Sequence, residues 1–140
     1  MKRIGSAVWK GSIKEGGGTV STESGALDAL PYSFSKRFGD EKGTNPEELI
    51  GAAHASCFSM ALSLMLGQEG FTPDELSATS AVSIEQKDGG FTITTIDLKV
   101  VGKVPGIDEA KFTEIATKAK EGCPVSKVLN AKINFEASLA

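Results

Sequence analysis

Two cysteines stand far apart in this chain, Cys57 in "AAHASCFSMALSL" and Cys123 in "EGCPVSKVL". Three uses are open to such a pair: two buried hydrophobes, a structural bridge, or a redox couple. Cys123 directly precedes Pro124, and the proline opens an apolar, helix-like run. A residue there is an N-cap, where the unpaired N–H groups of the first turn and the helix dipole favour an anion. Such a position lowers a thiol pKa below its usual ~8.5. Serine, threonine, aspartate or asparagine would cap better, so a cysteine there indicates that its sulfur is wanted. Cys57 falls in the middle of an apolar run, where a free cysteine on its own reads as a small hydrophobe of the core.

Other chemistries fail against the inventory. Two cysteines and one histidine, widely spaced, make no zinc ligand cluster, and there is no C-x-x-C pair. A Ser–His–Asp hydrolase would have to use His54, which lies inside the apolar run and lacks a nucleophile elbow. It sits one turn before Cys57 on the same side, and it reads as a satisfied core histidine, with contact to the thiol as the alternative. "EGGGTVS" lacks the lysine and the following helix of a phosphate loop. No paired-carboxylate site stands out. What is left is thiol chemistry or no chemistry, and neither calls for a cofactor or a metal.

At 140 residues, with 40% hydrophobic and 24% charged side chains, the composition is that of one soluble domain, 1–140. A formal charge of −3 without any Lys/Arg block excludes nucleic acid and anionic membrane as partners. The start "MKRIGSAVWKGSIK" has no apolar core and is no secretory signal. Leu49–Leu66 is the sole apolar stretch of membrane-span length, but His54, Ser56, Ser59 and Ser63 interrupt it, so it reads as a core helix. The compartment implied is the cytoplasm, where a standing structural disulfide is disfavoured.

The elements that must position the thiols follow from patterning. "SAVWKGSI" and "GGGTVSTE" read as two strands with Gly16-Gly17-Gly18 as their turn, and a third strand over 32–35 points Tyr32 and Phe34 inward. Asn45-Pro46-Glu47-Glu48 reads as N-cap, first-turn proline and capping-box glutamate of a long helix that ends at Gly67 or Gly70. That helix has almost no polar face, so it is expected to be buried on all sides. Gly51, Ala55 and Ser59 would let a second helix approach. "ATSAVSIEQ" and "FTITTIDLKVVG" flank a turn at 87–90 and form a hairpin. "DEAKFTEIATKAKEG" is an amphipathic helix capped by Asp108 and stopped by Gly122, with Ala110, Phe112, Ile115, Ala116 and Ala119 inward. A short helix from Pro124 to about Asn130 and a final strand "KINFEASL" complete the chain. The fold class expected is α+β: two small antiparallel sheets around a long buried central helix. Two such sheets are too small to cover that helix in one chain, which points to a homodimer sharing one core.

"GTNPEELIGAAHASCFSMALSLML" and "VPGIDEAKFTEIATKAKEGCPVSKVL" together resemble the OsmC/Ohr family of organic hydroperoxide reductases, and the OsmC branch in particular. The likeness runs through the whole chain, from "GTVSTESGAL" and "LPYSFSKRFG" to the last strand. It implies an intertwined homodimer with two active sites at the subunit interface, and a thiol peroxidase acting on organic hydroperoxides and more weakly on hydrogen peroxide. Carried onto this sequence, Cys57 corresponds to the peroxidatic cysteine, Cys123 to the resolving cysteine, Glu47 to the active-site glutamate and Arg37 to the arginine ahead of the central helix. Lys36, beside it, is the alternative cation. The resemblance implies that Cys57 becomes a sulfenic acid and then a Cys57–Cys123 disulfide, reopened by an external thiol or dithiol. The Ohr branch suggests a lipoyl-type dithiol. One tension remains between helix position, which favours Cys123 as the more acidic thiol, and the family, which assigns first attack to Cys57.

Glu47 precedes Cys57 by ten residues on one helix, which separates their Cα atoms by ~15 Å along the axis and by roughly 280° around it. A composite site is therefore expected, with both cysteines from one chain and Glu47, with Arg37, from the other. A kink at Gly51 is the single-chain alternative. Two rival functions stay open: a non-enzymatic binder of an apolar ligand at the dimer interface, and a general disulfide exchanger. Peroxide turnover with added dithiol separates the first from the enzyme, and preference for alkyl hydroperoxide over protein disulfides separates the second.

Overall fold

The structure, a computed structural model, describes residues 1–140. Packing divides the chain into two compact units, 1–49 and 50–140. The first holds strands β1 (Gly5–Lys10), β2 (Gly17–Thr22) and β3 (Leu30–Tyr32) in an antiparallel sheet of that order, then the short helix α1 (Phe34–Phe38). Two expectations change here. The β1–β2 turn lies over 11–16, opened by Gly11 at φ +88° and closed by the Gly16 N–H on the Ser12 carbonyl, so Gly17 and Gly18 are already strand. The stretch expected as a third strand over 32–35 divides instead. Only Tyr32 stays in β3, and Phe34 starts α1, because the Ser33 hydroxyl accepts the Lys36 N–H and caps a helix. Phe34 and Phe38 then meet one turn apart, rings 5.0 Å from centre to centre.

Helix α2 runs without interruption from Pro46 to Gln68, as its caps predict, with the Glu48 N–H donating to Asn45 Oδ1 at 2.8 Å. It begins in the first unit and continues through the second. There follow β4 (Glu75–Lys87), β5 (Gly90–Lys103), α3 (Glu109–Gly122), α4 (Pro124–Val128) and β6 (Lys132–Leu139). β4 and β5 form the expected hairpin, closed by Asp88 and Gly89, both at positive φ, as a two-residue turn of this twist requires. Their sheet has the order β4-β5-β6. It departs from the expected all-antiparallel form: β6 pairs β5 in parallel, from Thr95↔Lys132 to Gly102↔Leu139. The two intervening helices make a crossover, and a crossover returns the chain in its original direction. The α+β class with two small sheets and a central helix holds.

The core of the second unit lies where Phe58, Leu62 and Leu66 of α2 meet Leu98 and Val100 of β5 and Phe112, Ile115, Ala116 and Ala119 of α3. Phe58 stacks edge-on against Phe135 of β6 at 5.5 Å. Ala110, expected inward, is exposed at the start of α3. Gly51 is buried against β4, where a Cβ would sit 2.6 Å from the Ser80 carbonyl oxygen, so its smallness serves a strand rather than a second helix. α2 is not buried on all sides within one chain. Only 28% of its most apolar 18-residue window is buried, although the helix is long and apolar enough to cross a membrane. Ala52, Ala53, Ser56, Met60, Ser63 and Leu64 form a bare face, with Met60 at 75% and Leu64 at 64% exposure.

Candidate active site

The four residues singled out in the sequence occur as two pairs, one in each unit. Arg37 closes α1 and Glu47 opens α2. Arg37 Nε donates to both Glu47 oxygens at 3.2 Å, and Nη2 donates to Oε1 at 2.7 Å. This is a bidentate pair, the geometry that a planar guanidinium offers a carboxylate and an ammonium does not. Glu47 is 7% exposed, while the Arg37 side chain keeps 36% of its surface open and lies over the Phe38 ring at 5.1 Å. The neighbouring cation is committed elsewhere: Lys36 Nζ and the Ser35 hydroxyl both donate to Glu41.

The second pair is Cys57 with Cys123. Both are free thiols; Cys57 is half-buried and Cys123 fully buried. Cys123 ends α3 and caps α4 as its position before Pro124 predicts, with its own N–H on the Ala119 carbonyl and its carbonyl accepting the Lys127 N–H at 3.1 Å. Each thiol bears on the proton affinity of the other. Their environments push them apart. Burial raises the Cys57 thiol pKa above its ordinary value, a donor from the Val125 N–H opposes this, and the Cys123 sulfur adds to the rise. Burial also pushes Cys123 upward, but donors from the Ser126 N–H, the Cys57 thiol, the Ser126 hydroxyl and the Val125 N–H together outweigh it. The Cys123 thiol is thereby held below its ordinary value. The helix start acts as the sequence anticipated, and the N–H groups that do so are those of Val125 and Ser126.

Two further side chains join this pair. His54 is fully buried, with Nδ1 3.0 Å from Ser80 Oγ and Nε2 2.8 Å from Ser126 Oγ. It is the satisfied core histidine that the sequence favoured, and burial lowers its pKa, which favours the neutral ring. Ser126 was missed in the sequence. The signal was present in "CPVS", which sets a hydroxyl at the third residue of a helix capped by the cysteine. Around these groups, Phe58 is core, Met60 stands on the bare face of α2, and Phe38 packs on Phe34 and Arg37.

Known proteins resemble this chain in sequence and in fold. The model of a family described as OsmC-like protein matches residues 39–138. The chain is 61% identical to Peroxiredoxin OsmC of Escherichia coli (strain K12) over 139 residues, covering 99% of this chain and 97% of that one. It is 37% identical over 128 residues to an organic hydroperoxide resistance protein of Xanthomonas axonopodis pv. citri (strain 306), covering 89% and 86%. Among solved structures, an organic hydroperoxide resistance protein from Elizabethkingia anophelis superposes with a TM-score of 0.79 at 25% identity, over 100% of this chain and 99% of that one. The chain belongs to the OsmC-like family.

Proposed function

We propose that this chain is a thiol peroxidase that reduces organic hydroperoxides through Cys57 and Cys123. A peroxidase role in hydroperoxide defence is supported by the relatives, one named a peroxiredoxin and another an organic hydroperoxide resistance protein. The observation that supports the two-thiol mechanism is the coupling of two free thiols, one half-buried and one fully buried, each of which shifts the other's proton affinity. Exposure favours Cys57 as the attacking thiol. Cys123 has 0% exposure, whereas Cys57 is half-buried and keeps part of its surface in solvent.

The chemistry then balances in three steps. The Cys57 thiolate attacks one peroxide oxygen; the O–O bond breaks, Cys57 becomes a sulfenic acid, and the alkoxide takes a proton to leave as alcohol. The Cys123 thiolate attacks the Cys57 sulfur; the S–S bond forms, the S–O bond breaks, and hydroxide leaves with a proton as water. An external dithiol reduces the disulfide and is itself oxidised. The first step needs the negative charge on Cys57, while hydrogen bonds hold it on Cys123. Transfer of the Cys57 proton to the Cys123 sulfur supplies that arrangement. A cation near Cys57 stabilises it further.

The cation is Arg37, fixed by Glu47, and the pair acts from a second copy of the chain. The bare apolar face of α2 favours this reading, since a second α2 laid on it would bury Met60 and Leu64 and complete the core. The single 1–140 domain read from the sequence becomes, in this account, a body that two chains complete together. A catalytic disulfide that opens in each cycle suits the cytoplasm. Turnover of an alkyl hydroperoxide with a lipoyl-type dithiol, in parallel with reduction of a protein disulfide, tests the assignment. Rapid peroxide loss with slow disulfide exchange is expected, and the reverse order would make the chain a disulfide exchanger.

A further inference from the structure

The mechanism above leaves the environment of the buried sulfur unexplained. Cys123 belongs to the buried apolar core, together with Phe58 and Leu62 of α2 and Ala119 of α3. An anion there is costly unless donors meet it. The titratable groups bearing on it are Cys57 and, through Ser126, His54, both on α2; α4 supplies the N–H groups of Val125 and Ser126 and the Ser126 hydroxyl. α3 meets it with the Ala119 carbonyl, which is taken by the Cys123 N–H.

The Ser126 hydroxyl has one proton and two neighbours that can take it: His54 Nε2, 2.8 Å away, and the sulfur of Cys123, the N-cap three residues before it on the same short helix. Which neighbour receives it depends on the histidine tautomer. A neutral imidazole has one N–H. With that proton on Nε2, the ring donates to Ser126 Oγ and leaves the hydroxyl free to donate to sulfur. Nδ1 is then an acceptor, and Ser80 Oγ at 3.0 Å is placed to donate to it. With the proton on Nδ1 instead, Nε2 takes the Ser126 hydrogen and the sulfur loses a donor. Ser80 belongs to β4, packed against Gly51 of the same helix as His54, so the whole chain of groups is held by regular elements.

We propose that Ser80, His54 and Ser126 form a buried hydrogen-bond relay that directs the Ser126 hydroxyl onto Cys123, with His54 as a positioning residue for the resolving step. All three donors then point the same way, from Ser80 to the ring, from the ring to Ser126, and from Ser126 to sulfur. Hydrogen bonds in such a chain polarise and strengthen one another. The consequence is a larger thiolate fraction on Cys123 when Cys57 is a sulfenic acid, and therefore faster closure of the disulfide. That consequence rests on the proposed role of Cys123; the relay itself does not.

The test uses a Cys57→Ala background, in which Cys123 is the lone thiol, and follows ultraviolet thiolate absorbance against pH, which needs no reagent to enter the core. Ser126→Ala is expected to raise the titration midpoint by about one pH unit, as loss of one donor to an anion should. Ser126→Thr, which keeps the hydroxyl, is expected to restore it. His54→Leu should raise the midpoint likewise, while His54→Gln, whose amide N–H can replace the Nε2 donor, should return most of the shift. A midpoint unmoved by Ser126→Ala overturns the proposal, and so do equal shifts in His54→Leu and His54→Gln. Ser126 lies half-buried on a five-residue helix, so its alanine variant keeps the readout available even where a His54 variant folds poorly. Because no peroxide is used, failure of the relay is separate from failure of the two-thiol mechanism, which turnover alone decides.

Discussion

Replacing Arg37 by alanine would leave Glu47 with its charge, 7% exposed, and without the three contacts of 2.7 to 3.2 Å that now satisfy it. Breaking a fully buried pair in this way costs about 3–5 kcal/mol. Arg37 keeps 36% of its side chain in solvent, so water screens the pair and softens the loss; about 1–2 kcal/mol is the expected destabilisation. Glu47→Gln removes the charge but not the shape and should cost less, about 1 kcal/mol. Arg37→Lys should fall between, since an ammonium cannot engage both oxygens with a fork. Urea unfolding of the three variants measures these values. In a Cys123→Ala background, the pH dependence of Cys57 alkylation measures the functional part. Arg37→Ala should move that profile to higher pH by about one unit, through loss of a cation from a half-buried thiol. Unfolding midpoints that match the parent would refute the packing argument. An unmoved alkylation profile in a destabilised variant would confine Arg37 to a structural role.

Cys123→Ser is expected to keep the first attack on peroxide, to lose turnover with dithiol, and to accumulate sulfinic acid on Cys57 by mass spectrometry. His54, with its pKa lowered by burial, takes up its proton more readily unfolded than folded. Stability should therefore be full above the ordinary histidine value of about 6.5 and should fall as pH drops below it, a loss that His54→Gln reduces in urea titrations at pH 5 to 7. Phe58→Ala, at a site with 0% exposure beside Cys57, should cost about 3–5 kcal/mol by the same assay. Mixing a Cys57→Ser chain with a Glu47→Ala chain should restore part of the parent activity after subunit exchange, because one intact centre forms in each mixed dimer; activity that stays at the level of the separate variants would oppose a shared site.

What the sequence disclosed were the features written in local chemistry. Asn45 and Asp108 cap the helices they were expected to cap, and Cys123 stands before Pro124 at the helix start that lowers its pKa. The features set by longer-range contacts were less visible. β6 has the alternation of either kind of strand, and only the crossover through α3 and α4 makes it parallel. "YSFS" alternates as a strand would, and the Ser33 cap turns the chain into a helix from Phe34. The pattern of α2 asked for burial on all sides, which one chain does not provide, because a pattern records that a face must be covered and not by what. Ser126 went unnoticed because a serine near a helix start is commonplace until a buried histidine is found 2.8 Å from it.

The pairing of the thiols is tested most directly by titrating free thiols before and after one equivalent of an aromatic alkyl hydroperoxide such as cumene hydroperoxide, followed by non-reducing peptide mapping. The mechanism predicts that both thiols disappear together, that one alcohol is formed per chain, and that the peptides containing Cys57 and Cys123 are joined. Two thiols still free after the peroxide has been consumed, or a Cys57 oxidised while Cys123 stays reduced, would contradict it.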